Sequence, residues 1–346
     1  MRDLNGQQVR QLIDMKQLYE TLLQAEADEA RNFKGSMSWK RVHGRDYLYR
    51  KRSDEWKSVG PRSPDTERVY AQFTDGRRAA KDRIKNLKRQ VEAMAPICRA
   101  MGLGRVPSIA ARILRRLDQQ PIIGHGLVVV GTHALFAYES LVSAHFATEH
   151  VATADIDLLF DARVSLKLVA PELKESGLIG LLQKVDRSFA APPGSFRAAN
   201  DDGFLVDLIM PQPRQPSRAP SRRQIGDRNS DQVAAEIEGL DWLQDSGVVS
   251  EIVIDEKGFP ARILAPDPRA FAVHKAWLSR RPDREPGKKR RDLAQARAVA
   301  GMVHDYLAAM PFDDEALQAF PAKVRTESLA LIGGPGEEAD EPRGGW

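Results

Sequence analysis

From Gln7 to Ala30 the apolar positions Val9, Leu12, Met15, Leu18, Leu22 and Ala25 recur three or four apart, the period of one helix face. The pattern predicts an amphipathic opening helix, ended by Gly35. Trp39, Val42, Tyr47 and Tyr49 then bring β-forming residues around the turn sequence His43-Gly44-Arg45-Asp46. Met37 to Val59 therefore reads as a small basic β-hairpin or three-stranded sheet. After Gly60-Pro61-Arg62-Ser63-Pro64, Ser63 or Asp65 is placed to cap a second long helix. Its stripe Ala80, Ile84, Leu87, Val91 and Met94 alternates spacings of four and three.

The hydrophobic pattern changes in the middle of the chain. Pro107 to Leu117 predicts a short helix, and Leu127 to Val130 is a continuous apolar run ending in Gly131-Thr132, the mark of a buried strand entering a tight turn. Ala134 to Leu141 has helical composition. Alternation predicts a second strand at 154–160 and a third at 203–210. Between them Ser165 to Leu182 reads as a helix, with Leu166, Val169, Leu173 and Leu178 facing inward. Pro211 to Gln224 is rich in Pro, Ser and Arg and is expected to be a mobile linker. Strands follow at 250–254 and 261–264, then a helix from Asp267-Pro268 to Leu278 and another from Lys288 to Tyr306. The tail after Ile332 has a disordered composition.

At 346 residues the chain has room for two or three structural units, and its 42% hydrophobic and 29% charged residues are ordinary for a globular protein. No apolar run approaches the ~18 to 20 residues of a membrane helix, and no apolar leader opens the chain, so a cytoplasmic location is expected. Cys98 is the sole cysteine, which excludes an intrachain disulfide and a Cys-based zinc site. The net charge of +4 is mild, but the basic residues are clustered. On the second helix Arg77, Arg78, Lys81, Arg83, Lys85, Lys88 and Arg89 form either a solvated face or a surface for nucleic acid or an acidic partner.

Chemistry enters with the acids. Residues two apart on a strand share a face, so Asp155 and Asp157 present two carboxylates together while Ile156 and Leu158 face the other way. Such neighbours repel unless a cation neutralises them, and Mg²⁺ or Mn²⁺ is held by carboxylates together with substrate phosphates. Asp207 lies in a strand of the same hydrophobic–Asp–hydrophobic pattern and completes a candidate three-carboxylate metal site. Upstream, Gly131 permits close backbone approach where a strand turns into a helix, and Thr132 adds a hydroxyl, which together suit a triphosphate. His133 is read as a packing or capping residue, Glu139 as an ordinary helix-surface carboxylate, and His145 and His150 lack the further ligands that zinc needs.

The succession strand–Gly131-Thr132–helix, then Thr-Ala-Asp-Ile-Asp-Leu-Leu-Phe at 153–160, then Val-Asp-Leu-Ile at 206–209, resembles the nucleotidyltransferase superfamily of the DNA polymerase β type. Residues 131–139 further resemble a bacterial subgroup of that superfamily whose substrates are poorly assigned. The likeness runs from Pro121 to Met210 and, more weakly, from Gly239 to Ala296. Two departures stand out: the superfamily usually has Gly-Ser at the turn, and the interval from Thr132 to Asp155 is long, as an insertion around 143–150 would make it.

The resemblance implies an α+β fold, with a nucleotidyltransferase-type mixed sheet flanked by helices, an N-terminal helix/β-hairpin region and a C-terminal helical region. It implies units at 1–105, 106–235 and 236–332, with a tail at 333–346. Asp155 and Asp157 would bind Mg²⁺ or Mn²⁺, and Asp207 would act as ligand or base. Lys275 is the candidate for reaching the triphosphate, against the alternative of a lysine snorkelling from a packed helix. Lys289 and Arg291 are read as solvated or structural. The implied activity is metal-dependent transfer of a nucleoside monophosphate from a nucleoside triphosphate to a hydroxyl of RNA, protein or a small molecule, with release of pyrophosphate. A toxin-like setting would share that chemistry. The alternative is a non-catalytic nucleic-acid- or partner-binding protein that retains the fold, with Trp39, Tyr47, Tyr49, Arg50, Lys51 and Arg52 as its best feature.

Overall fold

The computed structural model describes residues 1–52, 55–119, 126–163, 172–213, 223–227, 230–313 and 315–333. Most of the expected linker at 211–224, the first half of the helix expected from Ser165, including Leu166 and Val169, and the tail lie outside these residues. The fold is α+β and divides into two compact units, one of residues 7–104 with 257–260, the other of 1–6, 105–256 and 261–346. No helix among the described residues is long and apolar enough to cross a membrane.

The smaller unit consists of two long helices in direct contact and a three-stranded sheet. Helix α1 (Gly6–Asn32) buries Leu12, Met15, Tyr19, Leu22 and Ala25, so Tyr19 takes the inward place that the periodicity gave to Leu18. Helix α2 (Pro64–Ala100) starts in a capping box, in which the Ser63 side chain accepts from the Thr66 backbone N–H and Thr66 reaches back to the Ser63 N–H. The helices run antiparallel: Gln8 donates to the Met101 carbonyl, Lys88 pairs with Glu26, and the rings of Phe33 and Phe73 meet at 5.9 Å. Cys98 is buried and accepts from Gln11. In the chain between the helices, β1 (Ser36–Val42), β2 (Arg45–Arg52) and β3 (Glu55–Pro61) form a three-stranded antiparallel sheet.

The larger unit is built on a mixed sheet. Following α3 (Ser108–Gln119), β4 (Leu127–Val130) leads through a tight turn into α4 (Ala134–Val142). Strand β5 (Asp155–Phe160) lies between β4, antiparallel, and β7 (Leu205–Pro211), parallel. Along the other edge of β7, β6 (Arg197–Ala199) pairs with its first half and β8 (Ala235–Ile237) with its second. Helix α5 (Glu172–Val185) precedes β6 and breaks at Gly177, where φ is +64° and the Asp231 carboxylate accepts the Ile179 N–H at 3.0 Å. A two-stranded sheet of β9 (Val248–Ile254) and β10 (Pro260–Pro266) leads to α6 (Pro268–Arg280), α7 (Pro286–Tyr306) and α8 (Ala322–Ile332).

Alternation divides the two sides of the sheet by chemistry. Ile156, Leu158, Val206 and Leu208 point into the main core with Leu135, Tyr138 and Phe271. Each such aliphatic side chain contributes roughly 1.5–3 kcal/mol when fully buried. On the opposite side Leu159 and Ile209 join Trp242, Val273 and Phe320 in a second apolar cluster. The same side of the same strands begins with Asp155, Asp157 and Asp207, so the acids emerge where that apolar cover stops.

Candidate active site

Asp157 and Asp207 are direct register partners on parallel strands, and Asp155 precedes Asp157 by two. All three therefore share one face, with adjacent strands ~4.8 Å apart. At the N-terminal end of β5, half-buried Asp155 accepts a hydrogen bond from the Thr153 hydroxyl. Asp207 is 5% exposed and lies opposite Arg197 of β6. The guanidinium grips it bidentately, Nε to Oδ1 at 2.7 Å and Nη2 to Oδ2 at 2.5 Å.

Asp157 sits between these two acids. Burial, followed by the charges of Asp155 and Asp207, pushes its carboxyl up to about 7, against an incomplete opposing pull from Lys275 and Arg197. The cluster is short of positive charge. Its donors are carboxylate oxygens, the set preferred by a hard divalent cation such as Mg²⁺ or Mn²⁺. Among the described residues no three His, Cys, Asp or Glu side chains converge into a ready metal cage, and Asp207 is turned to Arg197.

Strand β4 brings in the Gly-Thr turn, with Val130 opposite Asp157 in register. Gly131 is required there on two grounds. Its φ is +65°, and a Cβ on it would lie 2.1 Å from Asp157 Oδ2. Thr132 is buried, and its hydroxyl accepts from Arg291 and from Gln295 Nε2, at 3.2 Å for the latter. Gln295 also donates to the His150 carbonyl at 2.7 Å, which ties the turn to α7. His133 is fully buried, edge-on to Phe136 and Phe204, and burial lowers its imidazole to about 4, which leaves it neutral.

Lys275 is 7% exposed on α6, and its Nζ donates to Asp292 Oδ1 at 2.8 Å, while Arg284 donates to the other oxygen at 2.8 Å. Burial alone would raise Asp292, yet these two cations hold it below the ordinary carboxylate value. Lys275 is thus part of a buried ion network, and its charge is felt at Asp157.

The reading of one residue changes, and two basic residues gain partners. Glu139 is not a surface carboxylate: it is 4% exposed, held by Arg105 at 2.9 Å and by the Phe146 N–H at 2.8 Å. Helix α4 is buried over Ala134–Ser140, and a charge on such a helix needs a partner. Arg291 reaches the Thr132 hydroxyl, and Arg197 holds Asp207. Neither of these roles had a signal in the sequence beyond the basic residue itself, because both depend on strand or helix packing.

The mixed sheet, the acids on neighbouring strands and the glycine turn beside them define the class: proteins of the nucleotidyltransferase fold. Within it, residues 108–321, more than half of the chain, match a family model described as nucleotidyltransferase, and the chain belongs to that family. No curated protein and no solved structure matches the chain.

Proposed function

We propose that this protein is a metal-dependent nucleotidyltransferase, moving a nucleoside monophosphate from a nucleoside triphosphate to an acceptor hydroxyl with release of pyrophosphate. The reading is carried by the register that aligns Asp157 with Asp207, where burial and then the two anionic neighbours raise Asp157. Asp155, Asp157 and Asp207 would hold Mg²⁺ or Mn²⁺. The bound cation would supply charge neutralisation at the transferred phosphoryl group.

The chain's own residues have the following parts in this reading. Gly131, with no Cβ, lets the turn lie directly against the Asp157 carboxylate, and its backbone would meet a substrate phosphate held beside that acid. Arg291 and Gln295 fix Thr132. Arg197 holds Asp207 with a half-exposed guanidinium, which would be placed to meet triphosphate oxygens beside that acid. Lys275 contributes to the triphosphate site as a buried positive charge behind it. Asp207 accepts the proton of the attacking hydroxyl or helps to bind the metal. Catalysis in such sites is mainly positioning and electrostatics.

The acceptor is a hydroxyl of RNA, a protein or a small molecule, and the basic N-terminal region favours nucleic acid. A toxin-like role is one setting for this activity. The second reading, a binding protein that retains the fold, rests on the same basic region, but it gives no reason for three aspartates on one sheet face. The test incubates the protein with each α-labelled nucleoside triphosphate, Mg²⁺ or Mn²⁺, and total RNA or protein extract. Label transfer by the wild type and its loss in Asp155→Ala/Asp157→Ala are expected. Identical behaviour of the two proteins across all acceptors would remove the enzymatic reading.

A further inference from the structure

The three-stranded sheet of the smaller unit has two unlike faces. Register puts Trp39, Leu48 and Arg50 on one side, where Trp39 meets the Tyr70 ring at 5.9 Å and Arg50 lies 5.1 Å over the Phe73 ring of α2. Trp39 and Arg50, grouped by sequence with the neighbouring aromatic and basic residues, therefore belong to the packed side. The other side carries Lys40, Tyr47, Tyr49, Lys51 and Trp56, because Lys40 is opposite Tyr47, and Lys51 opposite Trp56. Trp56 is 40% exposed.

The charge of this segment is out of proportion to its size. Residues 36–62 hold eight Lys and Arg against three Asp and Glu, an excess larger than the +4 of the whole chain. Some of these cations are balanced locally, Arg62 by Asp46 and Glu67 and Lys57 by Glu55, as on α2 Lys88 is by Glu26, Arg77 by Glu29 and Arg78 by Asp75. On the outer sheet face Lys40 lies against rings, with Nζ 3.5 Å from the centroid of Trp56 and 5.3 Å from that of Tyr49. Aromatic faces interleaved with cations are the recurring platform for single strands, whose unpaired bases stack on the rings while their phosphates meet the cations. Ser38 and Ser58 flank Tyr49 from the neighbouring strands and add hydroxyls suited to ribose 2′-hydroxyl groups.

We infer that the outer face of β1–β3 binds single-stranded RNA, with bases stacking on Tyr49 and Trp56 and with Lys40 moving from the rings to the phosphate backbone. The inference goes beyond the transferase reading, and it is tested apart from it by measuring binding in the Asp155→Ala/Asp157→Ala protein as well. The probes are fluorescein-labelled 20-residue oligo-uridylate, oligo-thymidylate of the same length and a 20-base-pair RNA duplex, titrated by fluorescence anisotropy against the full chain.

The wild type and the double aspartate variant are expected to bind oligo-uridylate equally, more tightly than the DNA strand or the duplex, and with an affinity that falls steeply as salt rises. Trp56→Ala and Tyr49→Ala should each weaken binding about tenfold, the loss of one stacked base. Lys40→Gln should reduce the salt slope while leaving the thermal midpoint unchanged, so a folding defect cannot imitate the effect. Absence of binding, preference for duplex or DNA, or aromatic variants that fold and bind as the wild type does would each overturn the inference.

Discussion

At the scale of single residues, the site depends on how Asp157 is enclosed. The glycine at 131 admits its carboxylate where any Cβ would collide, and burial, followed by the acids on either side, keeps its proton affinity high. Arg197 is the residue on which the arrangement turns. In Arg197→Ala, Asp207 loses its bidentate partner and a nearby positive charge leaves the cluster. Nucleotide transfer should fall at least tenfold if the guanidinium goes on to meet triphosphate, mostly through a higher KM for the nucleoside triphosphate. An unchanged KM would leave Arg197 as a structural counter-ion only. The acids were legible in the sequence because strand alternation alone puts Asp155 beside Asp157. Arg197 was not: its strand is three residues long, and only the register Arg197↔Asp207 reveals its part.

At the scale of elements, local chemistry and packing each explain part of the fold. Helix α2 runs for 37 residues with a polar majority, and its start is fixed by Ser63 and Thr66 reciprocally satisfying backbone N–H groups. Ser63→Ala should lower stability by about 1 kcal/mol, read as a shift of the urea midpoint with unchanged slope. A shift below a few tenths of a kcal/mol would mean that packing against α1 determines that helix end. Long periodic segments such as α1, α2, α6 and α7 were readable from sequence, as were β4, β5 and β7, whose apolar runs are bounded by turn residues. Strands β6 and β8 were not, since three residues carry no period and their place is decided by the free edge of β7. Helix α4 misled in the opposite way: it is buried nearly all round, so Glu139 looked like a surface residue when it is in fact held inside by Arg105.

At the scale of the whole molecule, charge is distributed unevenly. A basic sheet lies in one unit and a cation-deficient acidic cluster in the other, within a chain whose net charge is only +4. The acidic cluster makes stability depend on pH in a definite direction. The carboxyl of Asp157 is raised to about 7 in the folded protein, whereas an unfolded aspartate titrates near ~3.9. Its contribution is therefore fully present at low pH and is lost as pH rises through about 7, unless a cation replaces the proton. The most direct measurement is the thermal unfolding midpoint at pH 5 and pH 8, with and without Mg²⁺ or Mn²⁺, for the wild type and for Asp155→Ala/Asp157→Ala. The cation should raise the wild-type midpoint at pH 8 far more than at pH 5 and leave the double variant nearly unmoved, by the linkage of binding to stability. An equal rise in both proteins, or none in either, would contradict a metal site built from these aspartates.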